Sequence, residues 1–134
     1  MKLAKLKVET NNQKYSIVIG DGVINNIKNL LKENSIEFNK CLIVADSKVP
    51  KIFIKKIFTL LSKKEIFIHY FNANELNKNQ KSINKITAIL LKKNFNRNDC
   101  LISLGGGITG DVSGFAASIF KRGLKFINIP TTLL

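Results

Sequence analysis

The residues best placed to do chemistry are glycines: Gly105, Gly107 and Gly110 satisfy the spacing G-x-G-x-x-G within the run Gly105-Gly106-Gly107-Ile108-Thr109-Gly110-Asp111. Glycines at that spacing let backbone N–H groups come close to a pyrophosphate, and the N-terminus of a following helix offers unpaired donors and a favourable dipole to the anion. The string carries weight only between a buried strand and a helix. That context holds, because Cys100-Leu101-Ile102-Ser103-Leu104 is an apolar run of strand type and residues 112–121 read as a helix. A conventional dinucleotide fold also places an acid about twenty positions later on the ribose hydroxyls. Here no Asp or Glu follows Asp111, so an acid for the ribose must come from upstream, where Asp46 and Glu75 lie at strand ends. A tight strand-to-helix connection without a ligand remains open at this point.

The elements that must position these residues follow from periodicity. Residues 2–9 alternate Leu3, Leu6 and Val8 with lysines, Thr10-Asn11-Asn12-Gln13 has turn chemistry, and residues 15–19 are rich in β-formers, which predicts an N-terminal β-hairpin. After Gly20-Asp21-Gly22, the apolar residues Val23, Ile24, Ile27, Leu30 and Leu31 fall at helical spacing. Cys41-Leu42-Ile43-Val44-Ala45 is a continuous apolar run, the pattern of a parallel strand covered on both faces, and it ends at Asp46. A helix over 50–61, a strand over 66–71, an Asn-rich loop over 72–77, and a helix with Ile83, Ile86, Leu90 and Leu91 on its apolar face come next. A strand over 125–129 closes at Pro130-Thr131-Thr132. This alternation predicts an α/β fold, a Rossmann-like parallel sheet with flanking helices and an N-terminal β-hairpin, forming one domain over 1–134.

Composition bounds the function classes. The chain has 134 residues, 45% apolar and 23% charged, enough for an ordinary core without disulfides or metals. No stretch reaches the eighteen or so apolar residues of a membrane span, and the alternating N-terminus is no signal-peptide core, so a cytoplasmic location without membrane attachment is expected. Cys41 and Cys100 lie in apolar runs and read as reduced core thiols. The net charge of +13 raises the prospect of nucleic acid as a partner. The lysines, among them Lys2, Lys28, Lys55, Lys63 and Lys92, are scattered instead of grouped with aromatics in one block, which counts against that partner. The lone histidine, His69, sits inside a strand run and reads as a strand residue, since a metal site needs several converging ligands.

Taken together, Gly105-Gly106-Gly107-Ile108-Thr109-Gly110-Asp111, Val112-Ser113-Gly114-Phe115, Lys121-Arg122-Gly123 and Pro130-Thr131-Thr132-Leu133-Leu134 resemble the 3-dehydroquinate synthase signature. Asn74-Glu75-Leu76-Asn77-Lys78 is similar to the family's G-E-x-x-K, so the resemblance covers essentially the whole chain. It implies the conversion of 3-deoxy-D-arabino-heptulosonate 7-phosphate to 3-dehydroquinate and phosphate, in aromatic amino acid biosynthesis, with catalytic NAD and a divalent metal. By resemblance, Glu75 and Lys78 contact the nucleoside part of NAD, Gly106, Gly107, Ile108, Thr109, Gly110 and Asp111 hold the pyrophosphate region, and Thr131 with Thr132 continues the site. Asp46 is an adenosine-side contact, and Arg122 matches an arginine that binds the substrate phosphate, often across a dimer interface.

Two departures touch the adenosine end: Asn74 stands where the family usually has Gly, and Lys48 where an adenine-contacting Asn is sometimes found. The resemblance also implies a homodimer, and zinc or cobalt held by a Glu and two His in a helical C-terminal domain. That domain is not expected within this chain, which therefore holds no metal ligands and no catalytic residue, and is expected to be inactive by itself. Another sugar-phosphate cyclase, an inactive remnant and a basic nucleic-acid-binding module stand as the rival readings.

Overall fold

The computed structural model describes residues 3–132. Met1, Lys2, Leu133 and Leu134 lie outside the described residues, and with them the start of the expected first strand and the end of the run from Pro130 to Leu134. The chain divides into two compact units, Met1–Glu37 and Phe38–Leu134.

In the first unit, strands β1 (Ala4–Glu9) and β2 (Lys14–Ile19) form the expected antiparallel hairpin. Thr10 closes the turn: its N–H donates to Gln13 O at 2.8 Å and its Oγ1 accepts from Gln13 N at 3.0 Å. The segment predicted as one amphipathic helix is a 3-10 turn (Val23–Asn26) followed by helix α1 (Ile27–Glu33). Asn25 and Asn26 are weak helix formers and no side chain caps the turn, so the α-helical ladder starts only at Ile27.

The second unit contains β3 (Lys40–Asp46), α2 (Lys51–Leu60), β4 (Glu65–Phe71), α3 (Gln80–Lys92), β5 (Cys100–Gly105), α4 (Gly107–Ile119) and β6 (Lys125–Pro130). The four strands are all parallel in the order β4-β3-β5-β6. Central strands must be covered on both faces, and residues 41–45 and 100–104 are accordingly buried throughout. On one face Leu42, Val44 and Leu101 pack with Ile86 and Leu90 of α3, with Val112, Ala116 and Ala117 of α4, and with Phe95 and Phe120. Phe95 is fully buried, its ring centroid 6.1 Å from that of Phe67. Leu91, expected on the buried face of α3, is 61% exposed. Ile86 and Leu90 already occupy the core-facing turn, and Leu91 is rotated about 100° past Leu90, toward solvent.

Several lysines lie over aromatic rings at the edges of this core: Lys40 over Phe95 at 5.2 Å, Lys64 over Phe38 at 5.2 Å and Lys93 over Phe67 at 5.0 Å. Their apolar stems cover ring surface while the ammonium groups stay near water. His69 is half-buried on β4, and burial followed by the nearby Lys85 charge lowers its pKa, so its imidazole is neutral at pH 7.

Cys41 and Cys100 are direct register partners on β3 and β5 and are free thiols. Burial raises both pKa values, that of Cys41 to about 12. The folded chain therefore keeps protons that the unfolded chain releases above pH 9.0, and the thiols' contribution to stability is lost as pH rises from there toward about 12. An aromatic disulfide reagent at pH 8 is expected to modify Cys41 and Cys100 only as fast as the chain unfolds. Both thiols reacting within the mixing time would contradict their burial. Phe95→Ala is expected to cost about 3–5 kcal/mol in chemical denaturation.

Candidate functional site

The strand order places a topological switch point between β3 and β5: from β3 the chain goes outward to β4, then crosses to the other side of β3 to form β5. In open parallel sheets the crevice outside the C-terminal ends of the strands at such a point is where ligands bind. Asp46 ends β3 and Gly105 ends β5, so the candidate residues flank this crevice although the glycine run lies late in the chain.

The glycine run is helix rather than loop from its third residue. Helix α4 begins at Gly107, not at residue 112, with Gly106 as its N-cap and Gly110 N–H donating to Gly106 O at 3.1 Å. Glycines are poor helix formers, which is why the sequence reads as a loop here, but the end of β5 requires an immediate turn into the helix. A Cβ on Gly105 would lie 2.7 Å from Thr109 Oγ1 and 3.0 Å from Asp46 Cβ, so only glycine permits the approach of β3, β5 and α4 at this point. A Cβ on Gly106 would lie 3.1 Å from Thr132 Oγ1, whereas Gly107 faces open space.

The donor set fits an anionic cofactor. No side chain caps α4, so the N–H groups of Gly107, Ile108 and Thr109 have no carbonyl within the helix to bond. Thr109 itself is buried, and its Oγ1 has no protein partner. At the end of β6, Thr131 N–H donates to Gly105 O at 2.8 Å, which brings Thr131 and Thr132 to the same edge.

Two further site residues meet directly. Lys78 Nζ and Asp111 Oδ2 are 2.9 Å apart, across 33 positions of sequence, and the hydrogen bond to Asp111 raises the Lys78 pKa. Lys78 follows a 3-10 turn (Glu75–Asn77) that begins four residues beyond β4, so Glu75 is an exposed turn residue and not a strand end. Asn74 caps this turn, its Oδ1 accepting from Asn77 N at 2.9 Å. With φ of −152° Asn74 needs no glycine-like freedom, which explains why a side chain is accepted there. Asp46 Oδ1 accepts from the backbone N–H of Lys48 at 3.1 Å, leaving its other oxygen for the crevice.

Arg122 is the residue that does not join this group. It follows α4, which spans 13 residues, so it lies about 20 Å from the glycine turn, toward the opposite edge of the sheet. It belongs to a 3-10 turn (Phe120–Arg122) in which Lys121 (φ 43°) and Arg122 (φ 67°) are both left-handed, before Gly123 at φ 109°. Lys121 Nζ donates to Phe95 O at 2.8 Å, which holds the strained turn in place. A shallow cavity of about 600 Å³ lined by Arg97, Asn98, Gly123, Leu124 and Lys125 opens at the same edge.

Sequence reasoning missed Asn128. It faces α4 from β6, its side-chain Oδ1 3.2 Å from where a Cβ on Gly110 would stand, and it is the register partner of Ser103. A polar residue between Ile127 and Ile129 in a strand was the available signal. Among the described residues, no group of three or more His, Cys, Asp or Glu could hold a metal, and no helix is long and apolar enough to cross a membrane.

Residues 68–134 match the family described as 3-dehydroquinate synthase N-terminal. The chain is 66% identical over 134 residues to the 3-dehydroquinate synthase of Pelagibacter ubique, covering all of this chain and 36% of that protein. It is 41% identical over 133 residues to the 3-dehydroquinate synthase of Prochlorococcus marinus subsp. pastoris, covering 97% of this chain and 37% of that one. A crystal structure of 2-deoxy-scyllo-inosose synthase complexed with carbaglucose-6-phosphate, NAD+ and Co2+ has the same fold, with a TM-score of 0.84 at 22% identity over 96% of this chain and 35% of that chain. The chain thus spans little more than a third of the length of these relatives.

Gly105→Ala is expected to destabilise the second unit by about 1–3 kcal/mol in thermal unfolding, since the added methyl would press on Thr109 Oγ1 and Cβ and on Asp46 Cβ, atoms next to the backbone that cannot swing away. Arg122→Gly should instead raise thermal stability by up to about 1 kcal/mol, because it relieves a left-handed backbone at a non-glycine residue. A lower melting temperature for Arg122→Gly would show that the side chain is holding the turn.

Proposed function

The chain belongs to the 3-dehydroquinate synthase N-terminal family, and on that premise we propose that it is the NAD-binding part of a cytoplasmic 3-dehydroquinate synthase. In this reading the enzyme converts 3-deoxy-D-arabino-heptulosonate 7-phosphate to 3-dehydroquinate and phosphate, using NAD and a divalent metal. The observation that carries it is the uncapped start of α4, set at the switch point between Asp46 of β3 and the Thr131-Thr132 end of β6. The names of the relatives support the reaction, and the NAD+ and Co2+ complexed in the related cyclase structure support the cofactors.

Bound NAD would supply a hydride acceptor and donor. The chain's part is to bind and orient it. In this reading Gly106, Gly107, Ile108, Thr109 and Gly110 line the diphosphate, with the uncapped N–H groups at the start of α4 as its donors. Asp46 and Glu75 are the acids within reach of the crevice for ribose hydroxyls, with Thr131 and Thr132 along its β6 side. Lys78 and Asp111 neutralise each other beside the anion, so Asp111 does not repel it. Zinc or cobalt would be held by residues outside this chain.

The distance of Arg122 from the glycine turn gives its role a definite form. If it binds substrate phosphate, the substrate is held by a second copy, so the working enzyme is a homodimer in which each copy lends Arg122 to the other. A permanently charged forked guanidinium on a rigid turn suits that task.

The test is an amide chemical-shift titration of the 134-residue chain with NAD. Shifts at Gly106, Gly107, Ile108, Gly110 and Thr131, with an affinity of about millimolar, are expected, together with no dehydroquinate formation from the sugar phosphate. Shifts confined to other residues would overturn the cofactor site. Measurable dehydroquinate would overturn the division between binding in this chain and chemistry elsewhere.

A further inference from the structure

The chain has 22 lysines and arginines, and only Arg97 and Arg122 are arginine. Both stand at the edge of the sheet where β5 and β6 begin, Arg97 three residues before β5 and Arg122 three before β6. An ammonium is enough to keep a surface charged and wet. A guanidinium adds a planar fork that can donate to two phosphate oxygens at once. In a chain that uses lysine for nearly every positive charge, arginine at this edge points to geometry, and not charge alone, as what the position supplies.

Arg97 lines the shallow cavity of about 600 Å³ together with Asn98, Gly123, Leu124 and Lys125, a volume in the range of small-molecule sites. No carboxylate is among the lining residues. Asp99, the acid next in the chain, is buried, and its Oδ2 accepts from Asn96 N–H at 2.8 Å. Among the described residues Arg97 makes no ion pair. Lys125 brings a second positive charge to the cavity, Asn98 an amide, and Leu124 an apolar wall. Backbone and side-chain hydrogen bonds fix these walls in advance. Lys121 Nζ donates to Phe95 O at 2.8 Å, Lys125 N–H to Asp99 O at 3.2 Å, and Leu124 N–H to Ala117 O at 2.9 Å. Asn98 N–H donates to Asn96 Oδ1 at 2.9 Å, which holds the turn that carries Arg97. Walls set before a ligand arrives lower the ordering cost of binding it.

We propose that this cavity binds the phosphate group of a small phosphorylated solute, with the Arg97 guanidinium on two phosphate oxygens, Lys125 and Asn98 beside it, and the carbon part of the solute against Leu124. The net charge of +13 draws dianions toward the whole surface. The fork of Arg97 decides where they stay, because the lysines elsewhere attract an anion without gripping two of its oxygens in one plane. Arg122 lies outside the lining and keeps the role proposed above. A shallow cavity leaves part of the ligand in water, so the binding is weak. The site rests on the cavity and not on the cofactor reading, and its test omits NAD.

The 134-residue chain titrated with glucose 6-phosphate at constant ionic strength, with orthophosphate and glucose in parallel, tests this by amide chemical shifts. Saturating shifts at Arg97, Asn98, Gly123, Leu124 and Lys125 are expected with the ester, at a dissociation constant of about 1 mM, and none with glucose. Arg97→Gln should raise that constant about tenfold, and Arg97→Lys at least about threefold, since the charge stays and the fork goes. Lys28→Gln removes the same charge from an exposed helix position and should leave it within about twofold. Weaker binding of orthophosphate at the same residues assigns the site to the ester, and equal binding assigns it to the phosphate group alone; both support the site. Shifts that spread over the exposed lysines without saturating would overturn it, as would an equal loss in Lys28→Gln or equal binding of glucose. Shifts confined to the glycine turn of α4 would overturn this site and leave the cofactor site standing. The unaltered chain decides the matter even if an Arg97 variant folds poorly.

Discussion

Much of the second unit depends on one close approach, where the end of β5 turns into α4 against the end of β3. At Gly105 the neighbouring atoms leave no room for a Cβ. Because the strand can turn there without a loop, α4 starts two residues later, and its first N–H groups open directly onto the crevice at the switch point. The same economy of space runs along the helix, where Gly110 meets Asn128 and Gly114 meets Phe126, so α4 lies low over β6. The geometry proposed to bind an anion is thus a by-product of how tightly one helix packs on its sheet. Fold and site share the same glycines.

Tight packing also accounts for the small polar residues at this interface. Ser103, Thr109 and Ser113 are buried with hydroxyls that have no protein partner. A dry unpaired hydroxyl costs about 1–3 kcal/mol, so larger apolar residues would be favoured if volume allowed. Ser103 lies between Val44 and Asn128 in the register, on the face that α4 covers. The helix comes too close there for bulk, and Ser is nearly the smallest side chain that still fills space.

The strands 41–45 and 100–104 were legible in the sequence because burial on both faces leaves a continuous apolar run, a signal with few other causes. The start of α4 was not. Helix propensity opposes glycine, and only the tertiary constraint at Gly105 reverses that reading. Likewise Arg122 was identified as a residue but not placed, because two successive left-handed residues leave no trace in composition. Asp46, Lys78 and Asp111 were named as candidates from motif and position, yet the Lys78–Asp111 pair joins segments 33 residues apart and only the fold shows it. Leu91 failed for a simpler reason: at helical spacing it is as plausible a core residue as Leu90, and one step of rotation separates them.

The lysine excess looked from composition like a mark of nucleic acid, and the structure shows how such a chain can carry it otherwise. Lys40, Lys64 and Lys93 extend over phenylalanine rings at the margin of the core, so part of the cationic surface also serves as apolar cover. Apolar alternation in β1 was visible in the sequence, but only the register with β2 shows that Leu6, Tyr15, Ile17 and Ile19 share a side.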